Sequence, residues 1–147
     1  MSGGYNRRRG SSSQSRGQET SIPSPDVIKG IIQDKGKTDE MVKYAESIGR
    51  GLAQNERLTS SQIRNFFSEV KQIEGHVREK NELDKRRLVL LKPRLAYQAR
   101  RSGRGVGKLE KVLSPAITFV GDNVDYFRNF VDFFEAILAY HKAHGGR

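Results

Sequence analysis

Cysteine and tryptophan are both missing from this 147-residue chain. Without cysteine there is no disulfide framework, no thiol nucleophile and no cysteine-built metal centre, a usage that suits a reducing compartment. Proline occurs only four times, and two of the four sit together in Ile22-Pro23-Ser24-Pro25. No apolar run approaches the length of a membrane span, and the first residues carry no apolar stretch of the secretory kind. The sequence therefore reads as that of a soluble, cytoplasmic protein with no membrane partner. Acidic residues are in the minority: 27 Lys and Arg face 17 Asp and Glu, a formal charge of +10. A chain this short and this basic forms one domain at most, and nucleic acid is the first partner to consider.

The charge is uneven. From Arg78 to Lys111 twelve basic residues stand against four acidic ones, whereas from Gly121 onward the balance is −1. The middle of the chain thus reads as a binding surface and the C-terminal part as core and partner surface. Lys43, Arg50, Arg57, Arg64, Lys71, Arg78, Lys85 and Lys92 follow one another at seven-residue steps. Seven residues are two helical turns, so on any one helix such cations stack into a stripe that drifts by only about 20° per step. A row of cations on a rigid helix is what an extended polyanion needs.

Residues 1–24 are expected to be a disordered tail and linker, because their Gly, Ser and Arg cannot bury enough apolar surface to offset ordering. Arg7, Arg8, Arg9 and Arg16 could either solubilise the chain or add weak contact with RNA. Residues 25–147 are expected to form a single helical-bundle domain. Asp26 to Asp34 suggests a short helix with Val27, Ile28, Ile31 and Ile32 on its apolar side. A longer helix begins at Thr38 as N-cap, with Met41, Ala45, Ile48 and Leu52 as its buried stripe. Thr59-Ser60-Ser61-Gln62 is a capping box. It opens a helix whose apolar face is Ile63, Phe66, Phe67, Val70, Ile73 and Val77, with Gly75 placed to end or loosen it.

A third long helix spans Glu82 to about Arg101, with Leu88, Leu91, Leu95 and Ala99 inward and Pro93 kinking or dividing it. Along it Arg87, Leu90, Arg94, Tyr97 and Arg101 form one row, which could hold phosphates while the tyrosine either stacks on a base or packs on another helix. Residues 102–107 read as a flexible basic loop. They are not a nucleotide-binding P-loop, since Ser102 stands at the first glycine position and Leu109 at the Ser/Thr position. A fourth helix, Lys108 to Val120, is expected to be interrupted by Pro115. Asp122 then caps a fifth, in which Val124, Phe127, Val131, Phe134 and Leu138, flanked by Phe130 and Ile137, form the most apolar stripe of the chain. No segment alternates as a strand does. The expectation is an all-α, compact bundle of about five helices.

Three stretches together resemble the small helical subunit of the type III-A (Csm) CRISPR effector complex. They are Tyr44-Ala45-Glu46 through Leu58-Thr59-Ser60-Ser61-Gln62-Ile63-Arg64-Asn65-Phe66-Phe67; Leu90-Leu91-Lys92-Pro93-Arg94-Leu95-Ala96-Tyr97 with Arg100-Arg101; and Phe130 through Lys142. The similarity covers about residues 38–145. It implies a five-helix, non-catalytic protein, present in several copies along the inner side of a guide-RNA filament, where it contacts guide RNA and target RNA. Implied partners are those two RNAs, the other subunits of the complex, neighbouring copies of itself and, for the isolated chain, a second copy as a homodimer. No cofactor is implied.

The residues assigned to phosphate contact are Arg64, Lys71 and Arg78 on the second helix, and Arg86, Arg87, Lys92, Arg94, Arg100 and Arg101 on the third; Tyr97 joins them as an RNA-binding residue through its ring. Lys43 and Arg50 are weaker candidates. Phe133 lies off the main apolar stripe and is assigned to a neighbouring subunit. His141 and His144 lack an evident third metal ligand, and His76 is the only other histidine, so neither metal nor acid–base catalysis is expected. Asp125, Arg128, Asp132 and Glu135 mix signs along one helical side, which reads as exposed charge pairing rather than paired catalytic carboxylates. Two rival readings remain: a free-standing helical nucleic-acid-binding protein of nucleoid or RNA-chaperone type, and a scaffold whose basic face meets an acidic protein.

Overall fold

The computed structural model describes residues 20–147. Their order is α1 (Pro25–Gln33), a 3₁₀ turn (Lys35–Lys37), α2 (Thr38–Gln54), α3 (Ser60–Lys80), α4 (Lys85–Val89), α5 (Leu91–Ser102), α6 (Arg104–Val120) and α7 (Val124–Ala143), with no strand among the described residues. The five long helices are the bundle read from the sequence, α1 is the short helix expected over Asp26 to Asp34, and α4 is the first part of the divided third helix. The basic tail with Arg7, Arg8, Arg9 and Arg16 lies outside the described residues. The segment read as a linker is partly docked. Thr20 is buried, Ile22 packs on the core, and Ser24 caps α1 by accepting from the Val27 amide at 3.3 Å.

Helix α7 is the centre, touching α1, α2, α3 and α6, while α5 packs on α6. Its stripe of Phe127, Phe130, Val131, Phe134 and Ile137 is fully or almost fully buried. Phe134 meets the Phe67 ring edge-on at 5.2 Å between centroids. Phe133, expected to be left over for another subunit, is instead 0% exposed. The reason is that α7 is covered on several sides, so a residue off the main stripe still points into protein.

At the α2–α7 crossing the backbones come so close that a Cβ on Gly49 would lie 2.7 Å from the Ile137 carbonyl oxygen and from Tyr140 Cβ. Gly49→Ala is therefore expected to destabilise the protein by about 1–3 kcal/mol, read from urea or thermal unfolding. Below this crossing, Glu56 accepts from the Thr20 amide at 3.2 Å and from Arg104 Nε at 3.0 Å. Burial pushes its carboxyl up, but the Thr20 hydrogen bonds and the Arg104 charge outweigh burial and hold it below the ordinary value.

Several local expectations change. Thr38 is the first helical residue rather than the N-cap, and its hydroxyl donates to the Lys35 carbonyl at 3.1 Å. The capping box at Thr59 and Gln62 is present in both directions. Helix α3 runs past Gly75 to Lys80, because Ile73 and Val77 on either side are buried and packing outweighs the roughly 1 kcal/mol that glycine costs. The chain breaks at Leu90, ahead of Pro93, which puts the proline in the first turn of α5 where its missing N–H has no helical partner to lose. The expected loop 102–107 is mostly helix, broken only at Gly103 (φ 95°), because Gly105 and Val106 pack inward, the glycine against Leu58. Pro115 lies inside an unbroken α6, whose Val112, Leu113, Ala116 and Ile117 are buried and offset the lost hydrogen bond. Asn123, not Asp122, caps α7, accepting from the Tyr126 amide at 2.9 Å.

Candidate nucleic-acid interface

Helices α3, α4 and α5 carry most of the residues assigned to RNA. Their placement starts from caps: Thr59 and Gln62 fix the start of α3, and Asp84 starts α4 by accepting from the Arg87 amide at 3.1 Å. Leu88, Leu91 and Leu95 anchor α4 and α5 in the core. One side of α3, made of Gln62, Asn65, Glu69 and Gln72, then faces α4 and α5. Arg87 donates from Nε to Glu69 Oε2 at 2.6 Å and from Nη2 to Gln72 Oε1 at 2.5 Å. Arg94 reaches the other Glu69 oxygen at 3.8 Å. Hydrogen bonding to Glu69 raises the Arg87 pKa further, so this guanidinium stays charged at any ordinary pH.

Farther along, α3 and α5 part and leave a groove of about 410 Å³. Phe66, Pro93 and Val106 supply its apolar lining, and Gln62, Asn65, Arg94, Tyr97, Gln98 and Ser102 its polar groups. Tyr97 is 59% exposed, and the Arg101 guanidinium lies over its ring at 5.7 Å from the centroid. Of the two roles left open for this tyrosine, packing against another helix is the one its exposure disfavours.

The second cation row, Arg64, Lys71 and Arg78, lies on a different flank of α3. At 100° per residue it is turned by roughly 140° from the side that faces α5. It borders α7: Lys71 pairs with Glu74 at 2.6 Å and sits 5.8 Å from the Phe67 ring centroid, and Arg78 reaches the same Glu74 at 3.4 Å. Asp132 of α7 joins this neighbourhood. Its carboxyl is pushed up first by burial, then by Glu135 and Glu74, with Lys71 opposing. The arginine and lysine residues thus form two flanking rows with the exposed crest of α3 between them, rather than one face.

The candidates also differ in what they already hold. Arg64, Arg86 and Arg100 are exposed and make no ion pair or hydrogen bond with a described residue. Arg87, Arg94, Lys71 and Arg78 are partly neutralised by Glu69 and Glu74. Lys92 is turned toward α6 and donates to Thr118 Oγ1 at 2.5 Å. Lys43, 6.0 Å from the Tyr44 ring centroid, and the exposed Arg50 stand apart on α2.

The amides of Gln62, Asn65 and Gln98 were not singled out as site residues from the sequence. Gln62 was absorbed by its capping role, and the only signal for the other two was their adjacency to Arg64, Phe66 and Tyr97. The histidines do different work. His141 is 0% exposed, with Nε2 2.5 Å from the Leu58 carbonyl, and His144 lies 3.8 Å from Glu46. Among the described residues no three His, Cys, Asp or Glu side chains cluster as metal ligands, and no helix is long and apolar enough to cross a membrane.

A family model described as Csm2 Type III-A matches residues 35–147, which include all of α2 to α7 and therefore both cation rows. No match is found among curated proteins or among solved structures.

Proposed function

Because the chain belongs to the Csm2 Type III-A family, and so is a small subunit of the type III-A CRISPR Csm complex that associates with other Csm subunits, we propose that its work there is to hold the guide RNA and target RNA duplex. It does so through sequence-independent contact with the sugar–phosphate backbone. In this reading the protein is cytoplasmic and cuts nothing. Base pairing between guide and target reads sequence, and the subunit supplies charge and shape along the inner side of the filament.

The observation that carries this reading is the set of unneutralised cations on rigid helices. Arg64, Arg86 and Arg100 are exposed and pair with no carboxylate among the described residues, so a phosphate need not displace such a partner to bind them. Arg87, Arg94, Lys71 and Arg78 contribute less each, since every phosphate they gain competes with Glu69 or Glu74. Arg101 adds charge beside Tyr97.

Two measurements test it. Affinity for an RNA duplex is expected to fall steeply with salt: three phosphate contacts give a slope of about −2.7 in log K against log salt, and more contacts a steeper one. A flat response sinks the reading. Purification of the complex is expected to bring down RNA of uniform length with fixed protein partners. Mixed nucleic acid without those partners would favour the free-standing binder, and an absence of RNA the acidic-protein scaffold.

A further inference from the structure

The groove between α3 and α5 holds more than backbone recognition requires. Phosphate contact needs cations, yet here an exposed aromatic ring, an apolar floor and several amides converge on one concavity. Its size, about 410 Å³, falls in the range of sites that take small organic groups. We propose that this groove takes the unpaired base of one nucleotide in an RNA strand. Tyr97 stacks on the base, the amides of Asn65 and Gln98 meet its polar edge, and Arg94 meets the adjoining phosphate.

Hydrogen-bonding capacity supports the assignment. Gln62 spends its carbonyl oxygen on the Thr59 amide at 3.0 Å, and Gln98 accepts from Ser102 Oγ at 3.3 Å, which leaves both NH₂ groups without a described partner. Asn65 makes no hydrogen bond with a described residue, so it offers both a donor and an acceptor. Arg101 lies over the Tyr97 ring, giving a stack of cation and ring to which a base can be added. A nucleobase is flat and apolar on its faces and polar on its edge, which matches an aromatic and apolar slot rimmed by amides. Among the described residues no carboxylate lines the groove, while Arg94 does, so the ligand it favours is anionic. An apolar peptide side chain would leave the amides unanswered.

This inference rests on the RNA-binding reading and adds a second kind of contact, to a base taken out of the stack. It is tested with the full chain and three labelled RNA duplexes: one fully paired, one with a single unpaired adenosine, and one with an abasic residue in its place. The unpaired adenosine is expected to tighten binding at least about fivefold over the other two. Tyr97→Ala removes that preference, and Tyr97→Phe, which keeps the ring, retains it. Asn65→Ala with Gln98→Ala reduces it. Equal affinity for all three duplexes overturns the base site and leaves backbone binding standing, whereas no affinity for any of them overturns both. Displacement of the unpaired-adenosine duplex by an equal concentration of adenosine monophosphate would assign the groove to free nucleotides and overturn the RNA-strand assignment.

Discussion

Replacing Arg64, Arg86 and Arg100 together by glutamate lowers RNA affinity by roughly a hundredfold near 0.15 M salt. Each of these exposed arginines is without a partner among the described residues, so its loss is chiefly a loss to the ligand. An exposed charge contact is worth up to about 1 kcal/mol, and three sum to about 3 kcal/mol, or two decades, before repulsion from the new carboxylates is added. The salt slope should flatten by about 3 at the same time, since one released counterion is lost with each phosphate contact. Stability should hardly change, because no buried group depends on these side chains. The companion triple, Arg87, Arg94 and Lys71 to glutamine, is a less clean probe because it also strands Glu69 and leaves Glu74 with Arg78. A triple glutamate variant that folds and still takes up RNA with wild-type affinity and salt dependence would remove the basis of the proposed function.

Phe133→Ala costs about 3–5 kcal/mol of folding stability in the isolated chain, a large part of the 5–15 kcal/mol typical of a domain. The ring is fully enclosed, and its removal leaves a cavity that the surrounding helices can fill only by moving α7. Thermal unfolding should show a drop of roughly 10–20 °C. Had this phenylalanine been a subunit contact, the isolated chain would have tolerated the change and only assembly would have suffered. An unchanged melting temperature would therefore restore that expectation. Unfolding by denaturant gives the same discrimination without heat, through a lower midpoint at nearly constant slope.

The helices were legible where a local signal and burial agree. Met41, Ala45, Ile48 and Leu52 repeat with the helical period and are all buried, and the capping box at Thr59 needs only four consecutive residues to state its geometry. The misjudged places are those where a local breaker meets a distant surface. Gly75, Pro115 and the 102–107 run each look disruptive in isolation, yet buried neighbours on α3 and α6 keep those turns helical. Of the kink or division that Pro93 implies, the structure has the division, but its position, three residues earlier at Leu90, follows from where the proline ring can be accommodated.

The candidate interface was legible by residue type and not by direction. The seven-residue spacing is enough to place Arg64, Lys71 and Arg78 in one stripe, since the geometry of a single helix is local. It is not enough to relate that stripe to Arg87 and Arg94, because the angle between two helices is set by side chains that meet across the bundle. Glu69, bridging α4 and α5, is such a residue, and nothing in its sequence neighbourhood marks it.

By itself, then, the sequence determined that this protein is helical and basic, which residues line its core stripes, and through three motif stretches the family to which it belongs. Those properties depend on spacing and composition along one strand of chain. Tertiary structure alone decided that Phe133 is enclosed, that the cations divide between two flanks of α3, and that Tyr97 stands beside a groove lined with amides. Each of these depends on the packing of helices distant in sequence, and the free energy of that packing is shared among side chains that no local window contains together.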